Sequence, residues 1–349
     1  MRIVRLRKGL SEAEKAVAVS RIQELSPGAR VIGAGGDAPC FVRVEPKGVD
    51  AAAVPAEEFT RLENVQDVID DAPEYALGSR RLRPEDTAVA VGGGAEGAVV
   101  IGGGRPPVVI AGPCAVEGYD QMARVAERLA ALGVRLMRAG AYKPRTSPYA
   151  FQGLKKQGLE IMARVKREFG MKMVTEVMSG DRIDEVAEVA DVLQVGSRNM
   201  FHYAMLQELG RQPKPVLLKR GMAAGMHEFL LAAEYVLAGG NRNVILCERG
   251  IKTFETATRN TLDLNVVPHV KQKSHLPILV DPSHGTGLRP LVAPMSLAAL
   301  ACGADGLLIE VHDRPEEAVS DGEQSITPVE LAALLDAVRG AAAPARDAA

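Results

Sequence analysis

The chain has 349 residues, 47% hydrophobic and 25% charged, with 42 Lys and Arg against 44 Asp and Glu for a formal net charge of −2. That is the balance of an ordinary globular protein long enough for a large domain plus a small one, and any anion binding must be local, which argues against a general nucleic-acid surface. No apolar run approaches the ~18–20 residues that span a bilayer, and Cys40, Cys114, Cys247 and Cys302 lie far apart, so neither a membrane protein nor a disulfide framework or zinc ribbon is expected; a reducing cytoplasm fits.

Residues 1–80 read as a small module. Arg2–Arg7 alternates as a strand, and Ser11 with Glu14 makes a capping box that opens a helix to about Leu25. Strand-like runs Ala29–Ala34 and Cys40–Val44 follow, joined by a Gly-Gly-Asp turn. A short helix around Pro55–Arg61 and a strand around Val65–Asp70 complete a β-α-β-β-α-β order, the ferredoxin-like α+β pattern. A module this small buries only about 60% of its unfolded surface, so it is expected to dock on something.

Two glycine-rich stretches imitate dinucleotide fingerprints. Val31–Gly36 is followed by another strand, and Gly92–Gly97 leads into Ala98–Ile101. Neither opens a helix whose N-terminus receives a pyrophosphate, so neither is a Rossmann site. Residues 81–104 are expected to be a linker and a hairpin, Ala88–Val91 with Ala98–Ile101, plugging the base of the next domain.

From residue 105 to 340 the pattern becomes strand–helix repetition. Strands are expected at Pro107–Ala111, Val134–Arg138, Lys172–Glu176, Asp191–Val195, Pro215–Lys219, Asn243–Cys247, Pro277–Asp281 and Asp305–Glu310, most of them apolar on both faces as buried parallel strands are. Helical patterns lie between them at Tyr119–Leu132, Phe151–Phe169, Asp181–Ala190, Met200–Leu209, Met226–Ala238 and Pro294–Cys302, with a last one at Pro328–Val338. Eight units predict an α/β fold of the (β/α)8 TIM-barrel type; a doubly wound sheet is the rival, without its Gly-rich first crossover. Residues 341–349 read as a disordered tail.

In such a barrel the chemistry sits at the C-terminal strand ends. Those ends carry Cys114, Arg138 with Lys143, Glu176, Arg198, Lys219, Arg249, Asp281 with His284, and Glu310. Five cations from five strands converging on one mouth imply a polyanionic ligand, because without one they repel. Between Arg138 and Gly153, Pro144 and Pro148 stiffen a loop that packs Arg138, Lys143 and Arg145 into eight residues. Cys114, His284, Glu310 and Asp321 mix a thiolate, an imidazole and two carboxylates, which suits a catalytic divalent transition metal with an open position better than a closed structural zinc.

Ala111–Glu117 (Ala-Gly-Pro-Cys-Ala-Val-Glu), Lys143-Pro-Arg-Thr-Ser147, Val195–Met200, Leu218–Met222, Leu246–Gly250 and Asp281-Pro-Ser-His284 together resemble the 3-deoxy-D-arabino-heptulosonate 7-phosphate (DAHP) synthases. The form resembled is the short type I class allied to 3-deoxy-D-manno-octulosonate 8-phosphate (KDO8P) synthase, with an N-terminal ferredoxin-like extension. The resemblance runs from about 105 to 335 and extends weakly to Arg83–Thr87.

It implies condensation of phosphoenolpyruvate with erythrose 4-phosphate and water to DAHP and phosphate, the first step of the shikimate pathway to aromatic amino acids. It implies that Arg138, Lys143, Arg198, Lys219 and Arg249 hold phosphoenolpyruvate, with Glu176 near its water, and that Asp281 is also a substrate-binding residue. Arg145 and Thr146 then seat the sugar phosphate. Cys114, His284, Glu310 and Asp321 are the metal ligands for one ion (Mn, Co, Fe or Zn), and Lys143, Cys114 and His284 are the catalytic residues. It also implies a homotetramer and a Phe or Tyr effector at residues 1–80. Phe201-His202-Tyr203 and Ala223–Met226 depart from the family pattern; His202 reads as a packing or helix-surface residue. The alternatives are a KDO8P synthase acting on arabinose 5-phosphate, against which Lys143–Ser147 argues, and a non-catalytic anion-binding barrel.

Overall fold

The computed structural model describes residues 1–32, 40–45, 54–93, 97–145 and 147–342. The N-terminal elements are β1 (Arg2–Leu6), α1 (Glu12–Leu25), β2 (Arg30–Ile32), β3 (Phe41–Val44), α2 (Ala56–Thr60) and β4 (Val65–Ile69). The Ser11 side chain accepts from the Glu14 amide while the Glu14 carboxylate accepts from the Ser11 amide at 2.8 Å, so the capping box starts α1 as expected. The four strands form one antiparallel sheet in the order β2-β3-β1-β4. Ala18 and Ile22 of α1 and Phe59 of α2 pack on Val4, Leu6 and Val42, which gives this sheet its own core. The Gly-Gly-Asp turn at 35–37 and the tail from 343 lie outside the described residues.

Next come β5 (Ala88–Val91) and β6 (Val99–Gly102), an antiparallel hairpin with Ala88 opposite Gly102. The second glycine-rich stretch lies between these two paired strands, with residues 94–96 outside the described residues, and the next described element after it is the strand β6. Val89, Val91 and Ile101 form one apolar cluster with Ile110, Leu136, Val174, Val192, Leu217, Ile245, Leu279 and Leu308. Those eight come from eight different barrel strands, and the hairpin closes the end opposite the strand C-termini.

The barrel strands are β7 (Val108–Gly112), β8 (Leu136–Arg138), β9 (Lys172–Glu176), β10 (Val192–Val195), β11 (Val216–Lys219), β12 (Val244–Glu248), β13 (Ile278–Val280) and β14 (Gly306–Glu310). All pair in parallel, and β14 closes on β7 with Leu308 opposite Ile110. The helices are α3 (Tyr119–Ala131), α4 (Lys156–Phe169), α5 (Ile183–Val189), α6 (Tyr203–Leu209), α7 (Met226–Ala238), α8 (Val266–Lys273), α9 (Pro282–Thr286), α10 (Arg289–Ala301) and α11 (Pro328–Ala342). Their apolar faces, including Met122, Val125, Leu129, Met162 and Phe229, cover the outside of the barrel. No helix among the described residues is long and apolar enough to cross a membrane.

The segment joining the N-terminal sheet to the barrel is clasped from two sides. The Glu234 carboxylate on α7 accepts from the amides of Leu77 (2.8 Å) and Gly78 (3.0 Å). Ser274 donates to the Gly78 carbonyl at 2.6 Å, and His275 donates from Nε2 to the Leu77 carbonyl at 2.7 Å while Nδ1 accepts from Thr87. Burial holds His275 down to about 4, so it is neutral at pH 7. Burial raises Glu234 from 4.5 to about 7, against the two amide bonds that favour its charge. Its contribution to stability is therefore fully present below 4.5 and is lost as pH rises through about 7. Leu77 and Gly78 donate to different oxygens of the carboxylate, so Glu234→Gln removes the desolvated charge but keeps an acceptor for only one of the two amides. The stability of the variant relative to the parent is expected to be about 1–3 kcal/mol greater near pH 8 than near pH 4.5. Urea unfolding at the two pH values checks this, and an equal difference at both contradicts it.

Candidate active site and metal centre

Several of the barrel strands end on a charged residue. Arg138, Glu176, Lys219 and Glu310 are the final residues of β8, β9, β11 and β14, and Arg249 follows β12 directly. Gly112 ends β7 at φ 146, and a Cβ there would lie 2.2 Å from the Arg138 carbonyl oxygen. Only glycine lets β7 come that close to β8, two residues before Cys114. After β13, Asp281 caps α9 by accepting from the His284 amide at 2.9 Å, with Pro282 in the first turn. The Asp-Pro-Ser-His run is thus a one-turn device that presents an imidazole.

A cavity of roughly 320 Å³ opens at these ends. Its lining includes Arg138, Lys143, Arg198, Lys219, Arg249, Lys252 and Arg259, with Glu176 the one acid, and also Gln194, Asn260 and His284. The five expected cations all reach it. Two are paired with acids at its floor: Arg138 with Glu310, and Lys219 with Asp281. Buried Arg138 Nε and Arg249 Nη1 have no hydrogen-bond partner, and burial lowers the Arg249 pKa. Unpartnered buried guanidinium N–H groups are costly and call for an anionic ligand. Asp281, expected among the substrate-binding residues, is 0% exposed and lies beneath the cavity, bonded to Lys219 and at 2.8 Å to His284 Nδ1. Burial would raise its pKa, but His284 and Lys219 hold it well below the carboxylate range.

Cys114, Glu310 and Asp321 bring their donor atoms within 4.8 Å of one another. Donors each about 2.0–2.3 Å from one ion lie at most about 4.6 Å apart, which is close to the span of this cluster. His284 stands at its edge, Nε2 3.5 Å from Glu310 Oε1. With Nδ1 against the Asp281 carboxylate, its Nε2 carries the lone pair, the usual arrangement of a ligating histidine. In the protein alone, Cys114 donates to Asp321 Oδ2 at 2.9 Å, and burial followed by the Glu310 charge pushes its thiol up to about 12. Burial lowers the His284 pKa, against the pull of Asp281 and Glu310. Burial would raise Glu310 and Asp321; His284 and Arg138 pull the first down, and the Cys114 hydrogen bond and His284 pull the second down. Two ionised carboxylates, a neutral imidazole and a thiol that gives up its proton on binding fit a divalent cation.

Lys143 Nζ donates to Cys114 Sγ at 2.9 Å and to the Cys114 carbonyl at 3.0 Å, standing between cavity and cluster. Arg145 lies apart from the cavity: Nη2 donates to Ser320 Oγ at 2.6 Å, and Ser320 in turn lies 3.2 Å from Cys114 Sγ. Thr146 is outside the described residues. His202 accepts from the Met205 amide at 3.2 Å and caps α6, while Phe201 and Tyr203 are partly exposed beside Tyr235.

The profile of the DAHP synthetase I family matches residues 83–342. The chain belongs to the DAHP synthetase I family. A phospho-2-dehydro-3-deoxyheptonate aldolase of Thermotoga maritima is 50% identical over 277 residues, 79% of this chain and 80% of that protein. The crystal structure of a phospho-2-dehydro-3-deoxyheptonate aldolase (DAHP synthase) from Thermotoga maritima superposes with a TM-score of 0.75 at 43% identity, covering 98% of this chain and 97% of that one. A 2-dehydro-3-deoxyphosphooctonate aldolase of Geobacter sulfurreducens is 33% identical over 259 residues, 68% of this chain and 93% of that protein. The family assignment accounts for the spacing of the strand-end motifs. Gln194, Lys252, Arg259, Asn260, Ser320 and Gln324 went unread in the sequence. Gln194 had a signal, a polar residue facing inward within an apolar strand; the others lie in loops without periodicity.

Proposed function

We propose that this protein condenses phosphoenolpyruvate with erythrose 4-phosphate and water to give DAHP and inorganic phosphate, the first step of the shikimate pathway. The supporting observation is the cation-lined cavity with its unpartnered guanidinium groups, adjoining a Cys/Glu/Asp cluster in a chain of this family. Arg138, Arg198, Lys219 and Arg249, with Lys143, receive the carboxylate and phosphate of phosphoenolpyruvate. Cys114, His284, Glu310 and Asp321 hold one divalent ion, Mn, Co, Fe or Zn. When bound, such an ion supplies Lewis-acid polarisation of the aldehyde oxygen.

The chain's own groups do the rest. The enol carbon of phosphoenolpyruvate bonds to the aldehyde carbon, and Lys143 gives a proton to the oxygen that becomes a hydroxyl. Glu176, with Gln194 Nε2 3.4 Å from its Oε2, orients the water that adds at the carbon bearing phosphate, which then departs. The cations hold two mutually repelling anions at reacting distance. Asp281 acts from beneath by orienting His284 and Lys219. Arg145 and Thr146 seat the sugar phosphate, so the Lys143–Ser147 loop selects the aldehyde. Turnover with erythrose 4-phosphate is expected to exceed turnover with arabinose 5-phosphate by at least about 100-fold, the scale on which a pocket rejects one small added group. Steady-state kcat/KM for both aldehydes measures it, and a preference for the five-carbon sugar overturns the reading.

The hairpin region 81–104 belongs with the barrel of residues 105–340, and residues 1–80 form a regulatory domain for Phe or Tyr in a cytoplasmic homotetramer. Its separate apolar core and clasped connection support this division. Inhibition by Phe or Tyr is expected to vanish on deletion of residues 1–80, and light scattering to give four subunits; inhibition that survives deletion contradicts the first.

A further inference from the structure

We propose that Gln324 is a positioning residue for the metal cluster, its amide holding Glu310 directly and Asp321 through Arg259. This rests on the reading of Cys114, His284, Glu310 and Asp321 as a divalent-metal site. Gln324 is 2% exposed, so its amide must find its partners inside the protein. Nε2 donates to Glu310 Oε2 at 2.5 Å, and Oε1 accepts from Arg259 Nη1 at 2.8 Å. The same Nη1 donates to Asp321 Oδ1 at 3.0 Å.

The two carboxylates are thereby treated alike. Each has one oxygen held by the clamp and the other turned inward: Glu310 Oε1 toward His284 Nε2, where it also accepts from Arg138 Nη1, and Asp321 Oδ2 toward Cys114 Sγ. A carboxylate only accepts and a guanidinium only donates, so the group between them must do both. An amide does this without adding charge. The backbone sets the spacing. Asp321 sits at φ 58 just before the 3-10 turn Gly322–Gln324, whose three residues per turn bring positions 321 and 324 to one side. A Cβ at Gly322 would lie 2.2 Å from the Pro315 carbonyl oxygen, which fixes that turn against its neighbour. Arg259 comes from the loop after β12 and lines the cation cavity as well. The clamp thus joins the loops after the sixth and eighth barrel strands around the two acids. Partners of this kind orient metal ligands, and their loss typically costs about 10–100-fold in affinity.

The test uses the full chain stripped of metal and titrated with Co²⁺, reading the sulfur-to-cobalt absorption and the affinity by chelator competition. Gln324→Leu removes both contacts, and Gln324→Glu keeps the shape and the Arg259 contact while setting a second carboxylate against Glu310. Both are expected to bind Co²⁺ about 10–100-fold more weakly and with altered bands. Circular dichroism of the metal-free variants shows which of them fold. If the leucine variant does not fold, the glutamate variant decides alone. Parent affinity and an unchanged spectrum in the folded variants overturn the proposal. A parent chain showing no sulfur-to-cobalt band removes the metal reading beneath it, and the proposal with it.

Discussion

Lys143→Met lowers kcat by about 10²–10³-fold, within the range for loss of a positioned proton donor. Methionine keeps the volume of the stem, so the packing of a buried residue survives while the ammonium is lost. That ammonium lies 2.9 Å from Cys114 Sγ and 3.0 Å from the Cys114 carbonyl, at the boundary of the cavity and the cluster. Removing it takes away a charge for phosphoenolpyruvate and the proton for the new hydroxyl together, so KM rises as well. Circular dichroism separates this from misfolding, and a loss of less than tenfold in kcat moves the proton donor elsewhere.

Cys114→Ser is expected to abolish turnover at limiting metal and to weaken metal binding by more than the roughly 100-fold that loss of a supporting contact costs. The hydroxyl still reaches Asp321, so the fold is kept, but a hydroxyl is a far poorer ligand for transition metals than a thiolate. Because burial pushes the thiol up to about 12, metal uptake by the parent must release a proton. Titration calorimetry in buffers of different ionisation enthalpy counts that proton. Its presence in the parent and absence in the serine variant is the expected result; equal proton release in both excludes Cys114 as the source.

The barrel was legible because its strands are buried on both faces and read as unbroken apolar runs; Lys172–Glu176 has the limits expected, and the other seven strands begin or end within two residues of them. Helix α8 was not, because Pro268 falls inside Val266–Lys273, yet it stands in the first turn where its missing N–H costs nothing. Helix α4 starts at Lys156 and not at Phe151, since the stiffened loop from Lys143 runs on past Gly153. Gly153 itself sits at φ 86 with no room for a Cβ against the Ala141 carbonyl.

The site was legible at the strand ends, where the barrel alone dictates convergence. It was not legible in Arg259 and Gln324, whose meeting depends on how two irregular loops cross above β12 and β14. Nor does a sequence tell a charge that lines the cavity from one beneath it. Asp281 and His284, three residues apart, are separated in that way by a single turn of helix.

The most direct measurement is steady-state loss of phosphoenolpyruvate in the presence of erythrose 4-phosphate, with chelated protein and with the same protein resupplied with Mn²⁺, Co²⁺, Fe²⁺ or Zn²⁺. The expected result is no turnover after chelation and restored turnover, with one phosphate released per phosphoenolpyruvate consumed, on adding at least one of these ions. Full activity in the chelated protein, or none with any ion, would contradict the account.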